Sequence, residues 1–124
     1  MKNQFFVTIL IAFVFISCEK KAIHEYYIKN NCEEIIVVDI LDLDNKFLSI
    51  EVAPDMEELI YTGKTINDVY KDEITSFIKE LKIKKGNVIF KWDPLDYRIW
   101  QYDHISRLEA KSYLIVNPED FEDE

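Results

Sequence analysis

The sequence predicts a mainly β protein, an antiparallel β-sandwich of six to seven strands with one amphipathic helix inserted at about residues 66–84. Several short segments alternate between apolar and polar residues and are separated by Asn, Asp and Pro, which is the pattern of half-buried strands joined by turns. After residue 65 the apolar period lengthens to that of a helix. The chain has 124 residues, which fits one folded domain, expected at residues 25–118.

The first half of that domain is predicted to form four strands. They are expected at residues 25–29, 35–41 and 46–52, and from residue 59 onward. Segment 35–41 (IIVVDIL) is apolar on both of its alternating faces apart from Asp39, which is typical of a central strand. Segment 46–52 alternates and is predicted to be its half-buried hairpin partner.

The second half contains the helix and the remaining strands. The helix prediction depends on an apolar stripe at helical spacing from Ile66 to Leu81, and Gly86 is suited to end it. Beyond the helix, strands are expected at residues 88–92, 98–102 and 108–116. The last strand alternates most clearly, with every second side chain from Leu108 to Val116 on one face.

The core is expected to hold apolar residues that share the inward phase of these elements. They are Ile36, Val38, Ile40, Leu48, Ile50, Phe77, Phe90 and Leu114. Trp92 is in phase with Val88 and Phe90, so it is assigned to the core as well.

The chain begins with an apolar run, residues 5–16, that is preceded by Lys2. The run is shorter than the roughly 20 residues of a membrane-spanning helix. A basic start, a run of this length and a small residue before a cleavage point are typical of a secretory signal peptide. The small residue is Ser17, and Cys18 follows it.

The sequence Phe15-Ile16-Ser17-Cys18 resembles the lipobox of bacterial lipoproteins, with Phe15 where Leu, Val or Ile is commoner, as in the looser boxes of the Bacteroidota. The resemblance implies that residues 1–17 are removed and that Cys18 is acylated, which anchors the protein in the lipid bilayer of the cell envelope, at the outer membrane. Residues 18–24 would then be a short lipidated tether. An ordinary cleaved signal or a short core helix are the alternatives.

Residues 26–121 also resemble small uncharacterised β-sandwich lipoproteins of the Bacteroidota, a family that brings no known activity. The net charge of −9 repels nucleic-acid backbones, so DNA and RNA are excluded as partners. Residues 119–124 are expected to form an acidic tail. Once Cys18 is acylated, Cys32 is left as a small buried residue or as a thiol that pairs with another chain.

Motifs that would indicate catalysis, a metal or a cofactor are incomplete. Gly63-Lys64-Thr65 matches the end of a phosphate-binding loop, but Glu58 occupies the place of the required first glycine. His24, expected to be exposed in the tether, and His104 each lie outside any metal-ligand spacing. We therefore expect no cofactor, no metal and no enzymatic activity.

The densest aromatic stretch is WDPLDYRIWQY, residues 92–102. Trp, Tyr and Arg often dominate protein interfaces, so Tyr97, Arg98, Trp100 and Tyr102 form the candidate surface for an unidentified protein partner. The sequence thus predicts a membrane-anchored, non-catalytic binding or structural module. The alternative function is that of an immunity protein that neutralises a secreted toxin, which the small size and acidity also fit.

Overall fold

The computed structural model of the protein describes residues 21–66 and 68–121. These residues form two four-stranded sheets that pack face to face, so the protein is mainly β, in a β-sandwich-like arrangement. The strands are β1 (Ala22–Asn30), β2 (Ile36–Asp42), β3 (Phe47–Val52), β4 (Glu57–Thr65), β5 (Ile78–Lys85), β6 (Val88–Ile89), β7 (Gln101–Ser106) and β8 (Glu109–Val116).

The two sheets differ in strand direction. One has the order β4-β1-β8-β7 and is called here the mixed sheet, because β1 runs parallel to β8 and antiparallel to β4. The other, the antiparallel sheet, has the order β3-β2-β5-β6. The structure thus corrects the prediction of a wholly antiparallel sandwich of six to seven strands. Alternation along a strand indicates its two faces and not its direction, so the parallel pair left no signal in the sequence.

The predicted helix at residues 66–84 is also corrected. After β4 the chain crosses to the antiparallel sheet as a loop with one 3₁₀ turn, Ile74–Ser76, and then enters β5. A bulge shifts the register of β5 against β2. Because a bulge adds one residue to a strand, Ile78 and Leu81 are both buried although they lie three positions apart, and this spacing imitates a helical stripe. Within the described ranges, no helix is long and apolar enough to cross a bilayer.

The core lies between the sheets and receives apolar side chains from both. The core predictions are confirmed for Ile36, Val38, Ile40, Phe90 and Leu114, and Ile50 and Phe77 pack against this core in partly buried positions. The prediction is wrong for Leu48, which is 49% exposed. Leu48 lies on β3, an edge strand whose outer side has no neighbour in the sheet, so solvent reaches its side chain from that side.

The folded domain begins earlier than predicted. β1 starts at Ala22, inside the predicted tether 18–24, and both Ala22 and His24 are completely buried. The prediction that His24 is exposed is therefore wrong, because the alternation of β1 continues back to it and turns its side chain inward. The predicted signal peptide, residues 1–17, and Cys18 lie outside the described residues.

At the other end, the predicted acidic tail 119–124 is partly docked on the domain. Pro118–Phe121 forms a 3₁₀ turn, and the rings of Phe121 and Phe90 meet edge-on with their centroids 6.0 Å apart. Phe121 is 4% exposed, so an apolar contact fixes the chain there. Residues 122–124 lie outside the described residues.

Candidate functional site

The predicted partner surface lies around the 3₁₀ turn Tyr97–Ile99, between β6 and β7. Tyr97 and Arg98 are exposed there. The Arg98 guanidinium donates two hydrogen bonds to the Asp96 carboxylate, from Nε and Nη2, both at 2.9 Å. The backbone N–H of Arg98 donates to the same carboxylate at 3.0 Å, so the turn holds this arginine in a defined orientation at the surface.

Trp100 and Tyr102 do not share that surface. Trp100 is 7% exposed, its Nε1 donates to the Pro94 carbonyl at 2.8 Å, and its ring packs edge-on against Tyr26 at a centroid distance of 5.6 Å. Tyr102 is half-buried, with its ring edge-on to that of His24 at 5.6 Å. The structure therefore leaves Tyr97 and Arg98 at the surface, buries Trp100 and half-buries Tyr102.

Of the two tryptophans, Trp92 is the exposed one, although Trp100 was predicted to lie on the partner surface. It is 53% exposed, and its Nε1 donates to Oδ1 of Asp120 at 3.1 Å. The assignment of Trp92 to the core is wrong because β6 ends at Ile89 and the chain bends at residues 91–92, so the alternation from Val88 does not reach it. Together with Ile99 and Ile115, Trp92 lines a shallow, largely apolar groove of about 290 Å³.

A second candidate site is a buried chain of hydrogen bonds between the mixed sheet and the loop that follows β4. His24 of β1 lies at its centre, with Nε2 2.7 Å from Oγ of Ser112 in β8. Its Nδ1 lies 2.7 Å from Oε1 of Glu73, in the loop between β4 and β5. The Tyr26 hydroxyl lies 3.1 Å from the same nitrogen. His24 and Ser112 are at most 1% exposed, and Glu73 is 9% exposed. Of these three side chains, Glu73 is therefore the one that borders solvent.

The protonation of this chain follows from its geometry. A carboxylate only accepts hydrogen bonds, so Nδ1–H of His24 donates to Glu73, and Nε2 accepts the hydroxyl proton of Ser112. Burial lowers the pKa of the His24 imidazole, and the Glu73 carboxylate offsets part of this effect. Burial also raises the pKa of Tyr26 and of Tyr102. The histidine is therefore held neutral at neutral pH.

The connectivity Ser112–His24–Glu73 is that of a nucleophile, a general base and an orienting carboxylate in serine hydrolases. Such a serine must also meet a substrate carbonyl beside free N–H donors that stabilise the developing oxyanion. Ser112 lies within β8, paired with Tyr26 of β1 on one side and Tyr102 of β7 on the other. Ser112 is 1% exposed, so a substrate would reach its Oγ only if the residues that cover it moved.

Sequence reasoning missed this buried chain. His24 was assigned to the tether, and Glu73 lay inside the predicted helix. Two signals were present: Ser112 interrupts the apolar inward face of the last strand, and the alternation Tyr26, Ile28 extended backwards reaches His24. Polar residues on inward faces require hydrogen-bond partners, and His24 and Ser112 are partners of each other.

The other motifs have structural explanations. Gly63 of the Gly-Lys-Thr sequence lies inside β4, not in a loop before a helix, and a Cβ there would stand 2.5 Å from the Phe77 ring. Close packing therefore accounts for this glycine. Cys32 is free and buried, and burial raises the pKa of its thiol. Among the residues that the structure describes, no group of three or more His, Cys, Asp or Glu side chains is placed to hold a metal ion.

Comparison of the chain with protein-family models, with curated proteins and with solved structures found no match.

Proposed function

We propose that this protein is a lipoprotein of the bacterial envelope, anchored in the outer membrane by acyl chains on Cys18, whose folded domain is a non-catalytic binding module. The observation that carries the proposal is the sequence Phe15-Ile16-Ser17-Cys18 at the end of an apolar run of signal-peptide length. Each buried methylene of an acyl chain contributes about 0.8 kcal/mol to membrane binding. Two or three chains on one cysteine therefore hold a protein stably without a membrane-spanning segment.

The start of the folded domain supports this proposal. β1 begins at Ala22, only four positions after Cys18. A lipid on Cys18 would hold the domain directly against the membrane surface, as suits a module whose partner is also in the envelope.

The non-catalytic role is supported by the burial of Ser112 and His24, which keeps the Ser112 hydroxyl away from a substrate. The binding role is supported by the exposed Trp92, Tyr97 and Arg98, residue types that carry much of the energy of protein interfaces. The full sequence has 24 acidic residues against 15 basic ones, so this acidic protein favours a protein partner that is basic where it makes contact.

The two cysteines allow a matched test of the anchor. Cells that express the full chain, the Cys18→Ala variant or the Cys32→Ala variant are labelled with radioactive palmitate, and the proteins are partitioned between detergent and aqueous phases. We expect the full chain and Cys32→Ala to carry label and enter the detergent phase, and Cys18→Ala to do neither. Label or detergent partitioning retained by Cys18→Ala would exclude the lipoprotein proposal.

A further inference from the structure

The two ends of the mixed sheet differ, and the pairing of the strands defines them. At one end, Ala22 at the start of β1 pairs with Thr65 at the end of β4, and Ile23 pairs with Glu109 at the start of β8. This end, called here the leading end, also carries the loop after β4 and the turn between β7 and β8. At the opposite end, Asn30 at the end of β1 pairs with Val116 at the end of β8.

The leading end exposes large apolar side chains on adjacent segments. Ile66 is 74% exposed, Tyr70 is 56% exposed and Ile105 is 48% exposed. The segments are held together, since the backbone N–H of Val69 donates to the Arg107 carbonyl at 3.3 Å. Apolar side chains of this size are suited to partial insertion among lipid headgroups. The opposite end also exposes apolar side chains, among them Ile35 and Met56, so apolar exposure alone does not distinguish the two ends.

The charges of the two ends differ. The loops at the opposite end, residues 31–35, 53–56, 90–100 and 117–121, hold seven acidic residues and two basic ones. The acidic residues there are Glu33, Glu34, Asp55, Asp93, Asp96, Glu119 and Asp120, and the basic ones are Lys91 and Arg98. At the leading end four basic side chains stand against four acidic ones, namely Lys21, Lys64, Lys71 and Arg107 against Asp68, Asp72, Glu73 and Glu109. The leading end is therefore the end of this acidic domain that an anionic surface repels least.

The length of the chain before β1 sets which end can reach a membrane. Four residue spacings separate Cys18 from Ala22, and a fully extended chain covers at most about 14 Å over that distance. We infer that the leading end lies on the lipid bilayer, with Ile66, Tyr70 and Ile105 in the headgroup region and the acidic end directed away from it. This inference rests on the proposed acylation of Cys18.

The orientation is testable by lipid quenching of a fluorophore. The lipidated full chain, in a Cys32→Ala background, carries a single new cysteine labelled with an environment-sensitive dye and is reconstituted in phosphatidylethanolamine–phosphatidylglycerol vesicles. The cysteine is placed at the leading end (Ile66→Cys or Ile105→Cys) or, as a control, at the opposite end (Ile35→Cys or Met56→Cys). All four positions are exposed, so the substitutions leave the fold intact, which circular dichroism checks.

We expect doxyl-labelled lipids to quench the dye at positions 66 and 105 and to leave it bright at 35 and 56. Equal quenching at both ends, or none at either in a protein that sediments with the vesicles, would overturn the inference while leaving the anchor in place. A leading end shielded from aqueous quenchers but not reached by lipid quenchers would also overturn it, since another protein would then cover that end. A protein that fails to sediment with vesicles would instead refute the acylation proposal itself.

Discussion

β1 and β2 occupy equivalent places, each between two neighbours at the centre of its own sheet, yet they bury different chemistry. β2 turns Ile36, Val38 and Ile40 into the core before it ends at Asp42. β1 turns inward a series that contains two polar residues, Ala22, His24, Tyr26, Ile28 and Asn30. Apolar burial is non-directional, whereas each buried polar group requires a partner at one particular place. The comparison shows that β2 contributes mainly stability, and that β1 also defines where distant segments must lie.

The partners of β1 are distant in the sequence. Besides its contacts to Glu73 and Ser112, β1 holds the loop that follows it: Nδ2 of Asn30 donates to the Glu34 and Val52 carbonyls at 2.8 Å and 2.9 Å, and its Oδ1 accepts from the Cys32 N–H at 2.8 Å. Among the described residues, no buried side-chain nitrogen or oxygen lacks a hydrogen-bond partner. Removal of one of these buried side chains would therefore leave its hydrogen-bond partners unpaired, which lowers the stability of the fold.

The largest effect is expected from the apolar strand. Ile40→Ala should lower the free energy of unfolding by about 2–5 kcal/mol, because it leaves a cavity in the core. Leu48 of β3 pairs with Ile40 but is half exposed, so Leu48→Ala is the matched control, with a loss below about 1.5 kcal/mol. Denaturant midpoints measure both, and equal losses would remove the assignment of Ile40 to the core.

A smaller loss is expected from the polar strand. His24→Leu keeps the side-chain size but removes the partner of the Ser112 hydroxyl and the 3.1 Å contact of the Tyr26 hydroxyl, at a cost of about 1–3 kcal/mol. Glu73 borders solvent and regains water. Ser112→Ala removes the other partner of the same hydrogen bond. The double variant His24→Leu/Ser112→Ala should therefore lose less stability than the sum of the losses of the two single variants, and denaturant midpoints measure all three. If the two losses simply add, the hydrogen bond between these side chains does not contribute to folding.

The smallest effect is a dependence of stability on pH. Burial lowers the pKa of His24 below its ordinary value of 6.5. Below pH 6.5, His24 therefore binds a proton more readily in the unfolded chain than in the folded protein. Stability should therefore be full above that pH and fall as the pH drops below it, by at most about 1.4 kcal/mol per unit. Urea unfolding between pH 5 and pH 7 measures the slope, and a His24→Leu variant with an undiminished slope would assign it to another group.

The sequence predicts strands that bury apolar side chains better than strands that bury polar ones, as β2 and β1 illustrate. β2 and β8 were predicted nearly to their ends, because alternation or a continuous apolar run reports burial directly. β5 was missed because its bulge imitates a helical period. The start of β1 was missed because its inward His24 looks like a surface residue until Ser112 and Glu73 are in place, and these partners lie far along the chain.

The two tryptophans illustrate the same limit. Whether Trp92 or Trp100 enters the core depends on where β6 stops and on the Pro94 carbonyl that receives the Trp100 indole, and neither is visible in a local pattern. The exposure of Arg98 follows from residue type, because arginine is mostly found at the surface. Tyrosine is found in both places, and accordingly Tyr97 is exposed whereas Tyr102 is half-buried.

The parallel pairing of β1 with β8 has a consequence for the order in which the molecule can fold. All strands of the antiparallel sheet lie between residues 36 and 89, so its two hairpins, β2–β3 and β5–β6, and the pairing of β2 with β5 can form without the last strand of the chain. The mixed sheet must instead wait until residues 109–116 reach residues 23–30, a contact of high sequence separation with a corresponding loop-closure entropy. Sandwiches dominated by such contacts fold in about milliseconds to seconds. The final strand is therefore the closing step, and a chain that lacks it would leave one side of β1, including His24, without a neighbour.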